Sequence, residues 1–147
     1  MPARILIADD YPDAREMLAV MVEDLGYESL CAENGREAVE RAIAFRPDVM
    51  LMDIAMPELD GREATARIKA DPRTRDAIVI AVTGQATGGQ SAKQICPGCD
   101  MMLVKPVRAQ TIEHALQTVL AGLRRPSAEL RAPIVCHPMK SVHTPRA

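Results

Sequence analysis

The side chains best able to do chemistry stand at the ends of apolar runs. Asp9-Asp10 follows ILIA, Asp53 ends VMLMD, Thr83 ends IVIAVT, and Lys105-Pro106 follows MMLV. A carboxylate at the mouth of a hydrophobic strand is costly to desolvate unless something pairs with it. The stretch VMLMDIAMPELDG, 49–61, therefore asks what compensates Asp53. Taken singly, each residue is an ordinary polar strand end. Brought together, they are three carboxylates, a hydroxyl and an ammonium, and the chemistry that suits them is phosphoryl transfer. Three clustered carboxylates raise one another's pKa unless a cation sits among them. Their hard oxygens suit Mg²⁺, which keeps several waters and shares other positions with phosphate oxygens. A carboxylate can be the nucleophile that forms an aspartyl phosphate. Mg²⁺ and Lys105 would neutralise the transferring oxygens, and the Thr83 hydroxyl would donate to one of them.

Those residues meet only if the elements bring them to one edge. Apolar runs at 4–8, 27–32, 49–52, 77–82 and 101–104 read as strands, and IVIAV is rich in β-branched residues. Between them lie helical patterns. Residues 12–25 have apolar positions at Ala14, Met17/Leu18, Met21/Val22 and Leu25, closed by Gly26. Asn34 can cap a helix to Phe45 with Ala38/Val39 and Ala42/Ile43 on one face. Helices are also expected at 59–70, with Ala64 and Ile68 inward, and at 108–123, with Ile112, Ala115/Leu116, Val119/Leu120 and Leu123 inward. The pattern at 87–95 is weak, because Gly88 and Gly89 lower its propensity. Five βα units with short, continuous apolar strands imply an α/β, doubly wound parallel sheet covered on both faces. In such sheets ligands bind beyond the carboxyl ends of the strands, where all the reactive residues fall.

Composition limits the alternatives. A chain of 147 residues favours one domain, and 48% hydrophobic with 26% charged residues fits a folded one. Net charge is −2, from 18 Lys+Arg against 20 Asp+Glu, which gives no electrostatic case for nucleic acid or an anionic membrane. No apolar run approaches a membrane span and MPARILIADD lacks a signal-peptide core, so a cytoplasmic location is expected. Residues 125–147 hold Pro126, Pro133, Pro138 and Pro145 without helical periodicity, and read as a Pro-rich, flexible tail too short for an effector domain. A short docking segment around Pro133 to Cys136 is the alternative. Cys96-Pro-Gly-Cys99 is formally a C-x-x-C, but no second pair completes a zinc site. The plain reading is a helix-ending Pro-Gly flanked by cysteines acting as small hydrophobes.

The sequence resembles a response-regulator receiver domain of two-component signalling. The resemblance rests on Asp9-Asp10, MDIAMPELDG around Asp53, VTG at 82–84 and VKP at 104–106, and covers about residues 3–124. It implies the flavodoxin-like strand order 2-1-3-4-5 with five helices, and a receiver domain at 1–124. It implies that Asp53 is the phosphoacceptor for a sensor histidine kinase. It implies that Asp10, Asp53 and the Ala55 carbonyl ligate Mg²⁺, with Asp9 acting through a water. Thr83 and Lys105 would bind the phosphoryl group, Gly84 would leave room for it, and the bond before Pro106 is typically cis in the family. Output would leave through a partner on the face of the fourth helix, fifth strand and fifth helix. No DNA-binding output domain is expected, and the chain would be a monomer or weak homodimer.

The pattern departs from the family at Met102, where Tyr or Phe usually swings inward on phosphorylation. Met102 either repacks into the gap left by a shifted Thr83 or is plain packing. Ala55 and Gln85 occupy the family's dephosphorylation-tuning positions; Ala55 offers no side chain to place an attacking water, so a phosphoryl lifetime of minutes or more is expected. Three other readings compete: a receiver module excised from a hybrid kinase, a phosphate-independent pseudo-receiver, and an aspartyl-nucleophile phosphohydrolase of the haloacid-dehalogenase type. The last needs an acid two residues after the nucleophile, where this chain has Ala55. A pseudo-receiver usually lacks a key residue, and none is missing here.

Overall fold

The computed structural model describes residues 2–84 and 91–123. Its elements run β1 (Arg4–Ala8), α1 (Pro12–Asp24), β2 (Glu28–Ala32), α2 (Gly35–Phe45), β3 (Val49–Asp53), α3 (Gly61–Ala70), β4 (Ile78–Thr83), α4 (Ala92–Ile95), β5 (Met101–Val104) and α5 (Ala109–Leu123). The strands form one parallel sheet in the order β2-β1-β3-β4-β5. This is the expected doubly wound α/β architecture.

The sheet is covered on both faces, and strand alternation sorts its side chains. Leu6, Ala8, Met50, Met52, Val79 and Ala81 pack on one side with Ala38 and Ala42 of α2 and Ala64 and Ile68 of α3. Ile5, Ile7, Val49, Leu51, Ile80 and Val82 pack on the other with Leu18 and Val22 of α1 and Ile112, Leu116 and Val119 of α5. Central β3 and β4 are buried along their whole length, whereas edge strand β2 is half-buried over most of its length. That is why the central runs are purely apolar until their last residue.

Local signals explain the starts and stops. The Asn34 side chain accepts from the Glu37 N–H at 2.8 Å, and the Glu37 carboxylate accepts from the Glu33 N–H at 2.8 Å, so both orphan donors are satisfied. Asp60 caps α3 in the same way through the Glu63 N–H at 3.0 Å. Gly26 ends α1 with φ +93°.

Some boundaries differ from expectation. The strands expected at 49–52 and 77–82 run on to include Asp53 and Thr83, because each still pairs with a neighbour in the ladder. α3 begins at Gly61 rather than 59, since Asp60 supplies the cap. α1 buries Leu18 and Val22, while Met17 and Val20 are exposed, so its inward stripe is narrower than the run of apolar residues. α4 has four described residues, started by a reciprocal pair in which Ser91 and Gln94 side chains accept from each other's backbone N–H. The start of the expected helix at 87–95, Gln85, and the whole tail at 125–147 lie outside the described residues. None of the helices among the described residues is long and apolar enough to cross a membrane.

Candidate functional site

The parallel sheet delivers the reactive residues to its carboxyl edge. Asp9 directly follows β1, and its backbone N–H donates to the Ala32 carbonyl at 3.1 Å, extending the ladder by one bond. Lys105 follows β5, and its N–H donates to the Thr83 carbonyl at 2.8 Å. The Lys105–Pro106 peptide is cis. Two further devices fix the acidic loop after β1: Asp9 Oδ1 accepts from the Tyr11 N–H at 2.9 Å, and Arg15 Nη1 donates to the Asp9 carbonyl at 2.8 Å.

Lys105 bridges two strands electrostatically. Its Nζ lies 3.3 Å from Asp9 Oδ2 and 3.5 Å from Asp53 Oδ1. Asp9 is 1% exposed and Asp53 5%, so both carboxylates are out of water and the shared ammonium is what compensates them. Asp10 is exposed. Carboxylate oxygens of Asp9, Asp10 and Asp53 lie within 4.8 Å of one another.

One ammonium does not balance this set. Burial first, and then the charges of Asp9 and Asp10, push the Asp53 carboxyl up to about 6, against the opposing pull of Lys105 and the Ala55 N–H. The surplus negative charge and the all-oxygen donor set fit a small hard cation such as Mg²⁺.

Thr83 is 5% exposed at the end of β4. With Ala55, Gly84 and Arg62 it lines an open cleft beside Asp53. Among the described residues, a Cβ built on Gly84 meets only Lys105 Cδ, at 4.0 Å. Met102, one strand away, is half-buried and packs against the core on the α2/α3 side of the sheet.

The site also depends on residues whose roles no motif announced. A Cβ on Gly61 would fall 2.3 Å from the Asp53 carbonyl oxygen, so only glycine lets α3 start this close to the acidic strand end. The Gly61 N–H donates to the Ile54 carbonyl at 2.9 Å, which closes the loop. A Cβ on Gly35 would meet the Leu59 carbonyl oxygen at 2.0 Å, binding the same loop to α2. Arg15 is a further case. The contacts that require these glycines arise only between elements far apart in the chain.

Known proteins are similar to this chain in sequence and fold. Residues 5–117 match the model of the response regulator receiver domain family. Protein PilH of Pseudomonas aeruginosa is 40% identical over 120 residues, 82% of this chain and 99% of that protein. The signal transduction histidine-protein kinase BarA of Shigella flexneri is 34% identical over 112 residues, 76% of this chain but 12% of that protein. The solved receiver domain of sensor histidine kinase PA1611 of Pseudomonas aeruginosa, with a magnesium ion coordinated in its active site cleft, superposes with a TM-score of 0.74 at 30% identity, covering 82% of this chain and 99% of that one. With its family match spanning most of the chain and its acidic edge built on the 2-1-3-4-5 sheet, the protein belongs to the response regulator receiver domain family of two-component signalling.

Proposed function

We propose that the protein is a phosphorylation-dependent switch in which Asp53 accepts a phosphoryl group from a phosphohistidine of a sensor histidine kinase. The observation that carries this reading is Lys105 Nζ lying 3.3 Å from Asp9 and 3.5 Å from Asp53, with Asp10 beside them. In the transfer, an Asp53 oxygen attacks phosphorus, the P–N bond to the donor histidine breaks, and an acyl phosphate forms. Asp10, Asp53 and the Ala55 carbonyl would hold Mg²⁺, with Asp9 acting through a water; the ion supplies positive charge to the transferring oxygens. Lys105 pairs with the phosphoryl oxygens as its hold on Asp53 is released. Thr83 donates its hydroxyl to one of them, and Gly84 leaves the space they enter.

The added charge then biases two arrangements of Thr83, the chain after it and the face of α4, β5 and α5, where a partner reads the state. Val104 on that face is 49% exposed, which supports a partner surface there. Relatives of two kinds, PilH at nearly full length and BarA over a small part, support both a separate receiver and a module of a larger kinase.

Treatment with acetyl phosphate or beryllofluoride plus Mg²⁺ tests the reading. The wild type is expected to gain one modification with a shift in amide spectra around Thr83 and Lys105, and Asp53→Asn neither. A wild type that stays unmodified and unshifted sinks the switch. After donor removal, the label is expected to persist for minutes, because Ala55 cannot hold an attacking water; loss within seconds contradicts that role. No turnover of small phosphomonoesters is expected.

A further inference from the structure

The Cys96-Pro-Gly-Cys99 turn lies outside the phosphoryl site, between α4 and β5. Its geometry is written in its sequence. The Cys99 N–H donates to the Cys96 carbonyl at 3.0 Å, and Gly98 has φ +97°. Proline in the second position and a positive-φ glycine in the third make a type II turn. Such a turn brings its first and fourth Cα atoms within about 7 Å, and disulfides span about 4.4–6.8 Å. Neither cysteine is in a disulfide, so both sulfurs are at the thiol level.

The surroundings favour one thiolate. Cys96 is fully buried and Cys99 is 2% exposed, under a crest of exposed Pro97 and Gly98. The turn rests on α3: a Cβ on Gly98 would lie 3.4 Å from Thr65 Cγ2. Thr65 is itself fully buried, and its Oγ1 has no hydrogen-bond partner of normal geometry among the described residues. An orphaned buried hydroxyl is costly unless an acceptor arrives. A thiolate at Cys96 would supply that acceptor, because the Thr65 hydroxyl bears on the Cys96 sulfur. The Cys99 thiol, then the Thr65 hydroxyl and the Arg62 charge, draw Cys96 down to about 7 against its burial, while the same pairing pushes Cys99 up.

We propose that Cys96 and Cys99 form a reversible dithiol–disulfide site that reacts with low-molecular-weight disulfides, Cys96 attacking and Cys99 resolving. The Cys96 thiolate attacks one sulfur of the small disulfide, forms a mixed disulfide and releases one thiolate, which takes a proton from water. The Cys99 thiol then loses its proton to solvent and attacks Cys96 sulfur, releasing the second small molecule as a thiolate, which takes a proton from water. The protein dithiol is oxidised and one small disulfide is reduced to two thiols. The bond closes the turn that joins α4 to β5.

The test uses the full chain carrying Cys31→Ser and Cys136→Ser, equilibrated with mixtures of oxidised and reduced glutathione, quenched with N-ethylmaleimide and mapped by mass spectrometry. A Cys96–Cys99 linked peptide is expected. Cys99→Ser is expected to stop with glutathione on Cys96, and Cys96→Ser to leave Cys99 unmodified. Thr65→Val is expected to slow Cys96 alkylation near neutral pH about tenfold and to move its pH profile upward. A dithiol that survives excess oxidised glutathione when folded, yet oxidises in urea, overturns the proposal. Equal modification of the two single-serine variants overturns the assigned roles. The first measurement needs no variant in the turn, so a serine variant that misfolds leaves the test intact.

Discussion

At the scale of single residues, Asp53 is held in tension between burial and charge. Its carboxyl, pushed up to about 6 from 3.8, is bound more tightly to its proton in the folded chain than in the unfolded one. The folded state's advantage is therefore complete below 3.8 and is lost as pH rises through about 6. Without metal, Asp53→Asn is expected to exceed the wild type in stability near pH 8 by on the order of 2 kcal/mol, and to match it near pH 3.5. Urea titrations at both pH values check this, and added Mg²⁺ should narrow the gap for the wild type. Equal stabilities near pH 8 in metal-free buffer would show that Lys105 alone balances the site. The identity of the acids was legible in the sequence, since a charge at the end of an apolar strand calls for a partner. Their unequal environments were not: Asp9 is buried and Asp10 exposed because only Asp9 turns back to Lys105 and the Tyr11 N–H.

At the scale of elements, glycines set how closely helices approach the acidic loop. Gly35→Ala is expected to cost more than about 2 kcal/mol, because its Cβ would sit 2.0 Å from the backbone Leu59 carbonyl oxygen, which cannot swing away as a side chain could. Gly84→Ala, whose Cβ would meet, among the described residues, only Lys105 Cδ at 4.0 Å, is expected to leave stability within about 0.5 kcal/mol. Paired urea melts decide between them; equal costs would mean the loop between β3 and α3 moves freely. The capping signal at Asn34 was readable because it acts within one turn of chain; the equally local cap at Asp60 was missed. The helix expected at 59–70 starts two residues later, at Gly61, since apolar Leu59 continues the pattern while serving the core from the loop.

For the whole molecule, the open question is how a phosphoryl group at one edge reaches the α4–β5–α5 face. Met102 stands on β5, half-buried against the core, where it either follows a shifted Thr83 or only fills space. Met102→Ala is expected to accept phosphate as the wild type does but to lose several-fold of the phosphorylation-dependent gain in partner affinity, measured by titrating the cognate partner with and without beryllofluoride. An unchanged gain assigns Met102 to packing. The sequence by itself determined the βα alternation, the two-sided burial of the central strands and the residue types at the strand ends. These follow from hydrophobic period and local turn chemistry, which act over a few residues. Only the tertiary structure decided that Lys105 holds Asp9 and Asp53 together, why Gly35 and Gly61 must be glycine, and that a Thr65 hydroxyl unpartnered among the described residues lies beside the Cys96–Cys99 turn. Those facts depend on contacts between segments tens of residues apart, where packing sets distances that no local pattern encodes.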